Sequence, residues 1–148
     1  MAKLTPYEVE GEVDYNKVIK QFGASLIDNK LKSKLNGIRL VDKNVFFAHR
    51  DLDKIIGKDF AIVSGRGPSA KITLAHLQLF KFVKEMQDKF GCRVFIPLSD
   101  DEKFLFKSKL SFEESKKLAY ENLLDILAVG FDPKKTETQN KSSSANNT

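Results

Sequence analysis

Two short apolar runs, Phe60-Ala-Ile-Val-Ser64 and Arg93-Val-Phe-Ile-Pro-Leu98, flank one long segment in which Leu74, Leu77, Phe80, Val83 and Met86 recur at helical spacing. Leu79, Phe82 and Phe90 widen that apolar face, and Lys81, Lys84, Glu85, Asp88 and Lys89 fill the remainder. Strand, helix and strand within about forty residues make a βαβ crossover, because parallel strands need a connection long enough to hold a helix. The fold class is therefore α/β, with the two strands parallel and the crossover right-handed.

The turn after the first run carries the chemistry. Gly65-Arg-Gly-Pro-Ser69 leads into Thr73-Leu-Ala-His76 at the start of the helical pattern. In an open α/β sheet, a phosphate-bearing ligand binds at that junction, against backbone amides and a helix N-terminus. Gly65-Arg-Gly-Pro-Ser-Ala70 formally matches the G-x-G-x-x-A dinucleotide fingerprint, but three features oppose it. Pro68 lacks an amide that a pyrophosphate cradle would use, helical periodicity begins several residues later, and the second strand ends in Pro97-Leu98 with no acidic residue for a ribose. Adenylyl transfer fits better. Thr73 and His76 lie three apart, on neighbouring positions of one helix face, and both can donate to phosphate oxygens. Catalysis at such a site is positional and electrostatic, with no protein nucleophile. Equally, Thr73 fits an N-cap and His76 a packed side chain, and the residues alone leave both readings open.

The remaining sequence supports this unit. Residues 1–57 read as an N-terminal extension: a small hairpin at Tyr7–Val13 around Gly11, a helix capped by Asp14 and ended by Gly23, a second helix over Asp28–Leu35, and a short helical pattern ending at Gly57. His49 has no Cys or second His nearby and reads as a hydrogen-bonded structural residue, so no protein-held metal is expected. Residues 58–136 form the α/β part. In it Ser99 with Glu102 and Ser111 with Glu114 are capping-box patterns. Leu118, Tyr120, Leu123, Leu124, Leu127 and Ala128 give the last helix its expected apolar face, ended by Gly130. Residues 137–148 are polar, low in complexity and expected to be disordered. The 148 residues carry a net charge of +5, mixed with carboxylates, one cysteine (Cys92), and no apolar run long enough for a membrane span or signal peptide. A reducing cytoplasm is the expected location.

Four pieces in order, Gly65-Arg-Gly-Pro-Ser69, Thr73-Leu-Ala-His76, Ser99-Asp-Asp-Glu-Lys-Phe104 and Gly130-Phe-Asp-Pro133, resemble tryptophanyl-tRNA synthetase of the archaeal and eukaryotic type. Thr5-Pro-Tyr7 with Asp14-Tyr15, and Val45-Phe-Phe-Ala-His-Arg-Asp-Leu52, agree with that family upstream. The resemblance implies the first half of a class I synthetase Rossmann-like domain. It implies ATP with Mg2+, tryptophan or another amino acid, and tRNA as ligands, with a second copy or a complementing synthetase half as protein partners. Thr73 and His76 are placed in the His-x-Gly-His signature, and with Arg66, Gly67, Ala75 and Lys103 they would contact ATP. Val63, Pro97 and Glu102 would face the amino acid.

The sequence departs from the family pattern at four of these positions. Thr73 replaces the first signature His, and Ala75 replaces the Gly. That methyl would cost roughly 1–3 kcal/mol, or about ten- to hundredfold in ATP affinity, if the site cannot relax. Val63 stands where eukaryotic members place a Tyr beside the indole, and Pro97 where they place a Gln. Neither side chain can pair with an indole nitrogen, so selectivity for tryptophan is expected to be altered. The likeness stops near Thr136, before any Lys-Met-Ser-Lys signature or anticodon-binding domain. These residues alone are thus expected not to complete the charging reaction. The competing expectation is a non-catalytic nucleotide- or RNA-binding fragment, or one half of a split synthetase.

Overall fold

A computed structural model describes residues 3–4, 9–10, 14–99 and 111–140. The chain divides into two compact units, Met1–Lys58 and Asp59–Thr148.

In the first unit β1 (Lys3–Leu4) pairs antiparallel with β2 (Val9–Glu10). The paired stretches therefore flank residues 5–8, not Gly11 as the alternation predicts. Helix α1 (Tyr15–Gln21) is capped by Asp14, whose Oδ1 accepts from the Lys17 amide at 3.3 Å, and Gly23 follows at φ 61°. Helix α2 (Asn29–Leu35) begins at Asp28, whose Oδ1 accepts from the Leu31 amide at 2.7 Å. A short β3 (Ser25–Leu26) pairs antiparallel with β4 (Ala48–His49), and two single-turn helices are present: α3 (Arg39–Asp42), which the sequence does not announce, and α4 (Leu52–Ile55), at the short helical pattern that ends at Gly57. Leu31, Leu35, Ile38, Leu40, Val41 and Ile56 are its buried apolar residues. His49 Nδ1 accepts from the Leu52 amide at 3.2 Å, as a structural histidine should.

The second unit holds the sheet. Strands β5 (Ala61–Val63), β6 (Arg93–Leu98) and β7 (Thr136–Asn140) lie in the order β5-β6-β7, all parallel, with Val63 opposite Phe95 and Phe95 opposite Glu137. Helix α5 (Leu74–Phe90) joins the first pair, and α6 (Phe112–Leu127) lies between the second pair in the chain. Ile96, Val94 and Leu98 alternate onto the face that packs with Phe80 and Val83 of α5 and Ile126 of α6, which is the core of this unit. Sequence periodicity correctly places α5, yet Leu74 at its start is 70 % exposed.

Two expectations fail here for identifiable reasons. Residues 137–140 belong to β7, not to a disordered tail; they are held by ladder pairing with β6 while Glu137, Thr138 and Gln139 stay exposed, so there is no apolar pattern to read. Residues 141–148, and the capping box at Ser99 and Glu102, lie partly or wholly outside the described residues. On α6 the buried positions are Ser115, Ala119, Asn122 and Ile126, while Tyr120, Leu124 and Leu127 are exposed and Leu118 and Leu123 half-buried. Small side chains let this helix approach closely, and that favours its small-residue face over its larger apolar one. Ser111 caps α6 as predicted, its Oγ accepting from the Glu114 amide at 3.2 Å while the Glu114 carboxylate accepts from the Ser111 amide at 2.9 Å. The Ser111 amide, and then the Ser111 hydroxyl at 2.7 Å, donate to that carboxylate and hold the Glu114 pKa below its ordinary value.

Candidate functional site

The site begins where β5 ends. The parallel ladder continues past the strand: the Ser64 amide donates to Phe95 O and the Arg66 amide to Pro97 O, both at 3.0 Å. Between these two bonds the regular pattern calls for a Pro97 amide donating to Ser64 O, and proline has none. The ladder therefore lacks one bond at the tip of β5 and closes again at Arg66, whose carbonyl accepts from the Ser99 amide at 3.1 Å. A Cβ on Gly65 would sit 2.6 Å from Pro97 O and 2.7 Å from Pro97 Cγ, so glycine is required by space at this crossing.

Arg66 then folds back over its own loop. Its Nε donates to Asn122 Oδ1 at 2.7 Å, and its Nη2 donates to Ala70 O at 3.1 Å and Lys71 O at 3.2 Å. Burial lowers the pKa of the guanidinium without approaching neutrality. Sequence reading takes Arg66 as a ligand for phosphate; the structure commits two of its nitrogens to holding the loop.

Thr73 is the N-cap of α5, with extended backbone at φ −98° and ψ 167°, and His76 occupies the third helical position. The N-cap reading of Thr73 therefore holds. The Thr73 amide donates to His76 Nδ1 at 3.2 Å, and Thr73 Oγ1 lies 2.6 Å from the same nitrogen. An acceptor at Nδ1 places the proton of the neutral ring on Nε2. The Thr73 hydroxyl is spent on Nδ1, and Nε2–H of His76 is the donor the pair presents. Burial, and then the Arg66 charge, hold His76 below the usual histidine range. Because the folded pKa lies below the unfolded one, the corresponding stability is fully present above about pH 6.5 and is lost as pH falls through the folded value.

A cavity of about 390 Å³ brings together Gly65, Arg66, Gly67, Ser69, Thr73 and His76. Ala75 lies on the exposed side of the first turn of α5 and does not line it. Val63 and Pro97 belong to a different recess, of about 170 Å³, on the sheet face opposite the core, where Phe95, Glu137 and Gln139 join them. Val63 is 71 % exposed there. Glu102 and Lys103 lie outside the described residues. Glu137 and Gln139 escape the sequence because β7 does, and Asn122 escapes it because one polar residue within a helical pattern carries no signal of its own.

A parallel sheet with a glycine loop at the carboxyl end of one strand, followed by a capped helix, is a Rossmann-like domain, here in part. The sequence pattern of the class I tRNA synthetases (W and Y) matches residues 56–148, and the chain belongs to that family. Tryptophan–tRNA ligase of Thermococcus kodakarensis is 46 % identical over 145 residues, covering 90 % of this chain and 38 % of the relative. The enzyme of that name from Sulfurisphaera tokodaii is 42 % identical over 144 residues, with the same shares covered. The crystal structure of Plasmodium falciparum tryptophanyl-tRNA synthetase superposes with a TM-score of 0.83 at 36 % identity, over 90 % of this chain and 40 % of that one. The chain thus spans little more than a third of the length of the curated relatives it matches. No helix among the described residues is long and apolar enough to cross a membrane.

Proposed function

We propose that this chain forms the ATP-holding first half of a tryptophan–tRNA ligase catalytic domain. The observation that carries the reading is the Nε2–H donor of His76, fixed by Thr73 at the N-terminus of α5 and beside the Gly65–Ser69 loop in one cavity. A phosphate oxygen there meets a neutral donor and the positive end of a long helix. Mg2+ accompanies ATP as a counter-ion held mainly by phosphate and water; among the described residues no cluster of three His, Cys, Asp or Glu side chains stands ready to hold it. In the reaction the tryptophan carboxylate oxygen attacks the α-phosphorus, pyrophosphate leaves with the bonding pair, and a tRNA ribose hydroxyl then displaces AMP from the adenylate. His76 and the loop orient the phosphates and disperse developing charge, and the family resemblance assigns Lys103 a further charge for phosphate and Glu102 the substrate ammonium. Val63 and Pro97 line the amino-acid side. Cytoplasmic location follows from this role in protein synthesis.

The test is direct. The purified 148 residues are expected to bind ATP, read as shifts of the His76 ring and the loop amides in NMR, but to give no tryptophan-dependent exchange of pyrophosphate into ATP. Absence of ATP binding would sink the reading, and exchange by these residues alone would refute the need for further segments. Because Ala75 is exposed and lies off that cavity, the methyl that the family pattern makes an obstacle has room, and Ala75→Gly is expected to leave ATP affinity within about twofold of the parent. A roughly tenfold tighter titration would show that the methyl does obstruct ATP.

A second reading has one observation behind it. Among the described residues β5 pairs only with β6, and Val63 stands open beside it. That edge suits a further strand from a complementing synthetase half, which exchange activity restored only by mixing the two would reveal.

A further inference from the structure

We propose that Asn122 of α6 is a positioning residue for the nucleotide loop, acting through Arg66; this rests on the ATP-binding reading above. Asn122 is fully buried, at 0 % exposure, yet it lies on the face of α6 that packs inward. A polar side chain is kept in such a place only when its groups are paired. Here they are: Nδ2 donates to Leu118 O one turn back at 2.7 Å, which fixes the direction of the amide plane. With that plane set, Nδ2 also donates to Ala70 O at 3.1 Å, and Oδ1 accepts from Arg66 Nε at 2.7 Å.

The chemistry of the contact requires an amide. One end must accept from a guanidinium while the other donates to two carbonyls. A carboxylate would set an oxygen against Ala70 O, and an aliphatic side chain would leave the guanidinium and a carbonyl without that partner. The consequence reaches the cavity. Arg66, held by Asn122, draws the Ala70 and Lys71 carbonyls onto its Nη2, so these oxygens are engaged by a cation at the rim of the cavity where a polyanion would enter. The same Arg66 charge is one of the two causes that keep His76 neutral, after burial. Asn122 thereby sets the loop shape and, at one remove, the protonation of the phosphate donor, without touching the ligand.

The test is a mutant cycle on the whole chain, with MgATP as the probe. Asn122→Ala is expected to weaken ATP binding about tenfold, the size of one hydrogen bond to a charged group. It is also expected to raise the His76 pKa in an NMR titration, because an untethered Arg66 moves away. Arg66→Ala is expected to match the loss, and the double variant to be no worse than the poorer single one. If Asn122→Ala does not fold, Arg66→Lys carries the same test, since it keeps the charge but cannot bridge Asn122 and both carbonyls. Wild-type affinity and an unmoved His76 titration in the variant, or additive losses in the cycle, overturn the proposal. A wild-type chain that binds no ATP sinks the nucleotide reading and this proposal with it. A wild-type that binds beside a variant that binds equally sinks the proposal alone.

Discussion

Replacing Gly65 with alanine is expected to destabilise the chain by about 3 kcal/mol and to abolish ATP binding, the upper part of the overpacking range. The added Cβ would meet Pro97 O at 2.6 Å, Pro97 Cγ at 2.7 Å and Pro97 Cδ at 3.2 Å. A flexible side-chain tip could swing aside from such a contact, but a central-strand carbonyl and a proline ring cannot. That carbonyl also accepts the Arg66 amide at 3.0 Å, so any shift that relieves the clash pulls Arg66 away from Asn122 and the loop. Backbone strain plays no part, because nothing at Gly65 requires a left-handed conformation. For a unit of this size the midpoint of thermal unfolding should fall by on the order of 15 °C. A Gly65→Ala variant melting within about 3 °C of the parent would mean the loop can yield where the geometry says it cannot.

The parts of the fold that were legible in the sequence are those where burial writes a periodic pattern. Phe80, Val83 and Met86 mark α5, and Val94, Ile96 and Leu98 alternate along β6 against them. Caps were legible for the same local reason: Asp14 and Ser111 each accept the bond their spacing predicts. What was not legible depends on partners distant in the chain. The strand β7 is Thr-Glu-Thr-Gln-Asn and announces itself only through its pairing with β6. The inward face of α6 is set by closeness of approach, so Ser115 and Ala119 are buried while Tyr120, at 62 % exposure, is not. At the site, the sequence identified the loop and the Thr73–His76 pair. It could not assign the tautomer, because that depends on an amide donating to Nδ1. Nor could it separate an arginine that meets phosphate from one whose bonds run to Asn122, 56 positions away.

Gln87→Ala is expected to cost about 2–4 kcal/mol and to loosen β7 before the rest of the sheet. Gln87 is 2 % exposed on α5, and both ends of its amide are used. Its Oε1 accepts from the Asp132 amide at 2.9 Å, and its Nε2 donates to Thr136 Oγ1 at 2.9 Å. The pair of bonds fixes the loop that enters β7, and truncation would strand an amide and a hydroxyl as well as leave a cavity. Gln87→Met separates the terms: it keeps most of the volume and loses only the bonds, so about 2 kcal/mol should remain. Denaturant melts measure the totals, and hydrogen exchange measures the distribution. Amides of β7 should exchange faster in both variants while those at the β5–β6 ladder keep their protection. A Met variant as stable as the parent, with β7 still protected, would show that the ladder alone seats the strand. The opposite result is expected on physical grounds. A strand as polar as β7 gains little from apolar burial, so its register, and with it the place of Glu137 and Gln139 beside Val63 and Pro97, depends on directional bonds such as those of Gln87.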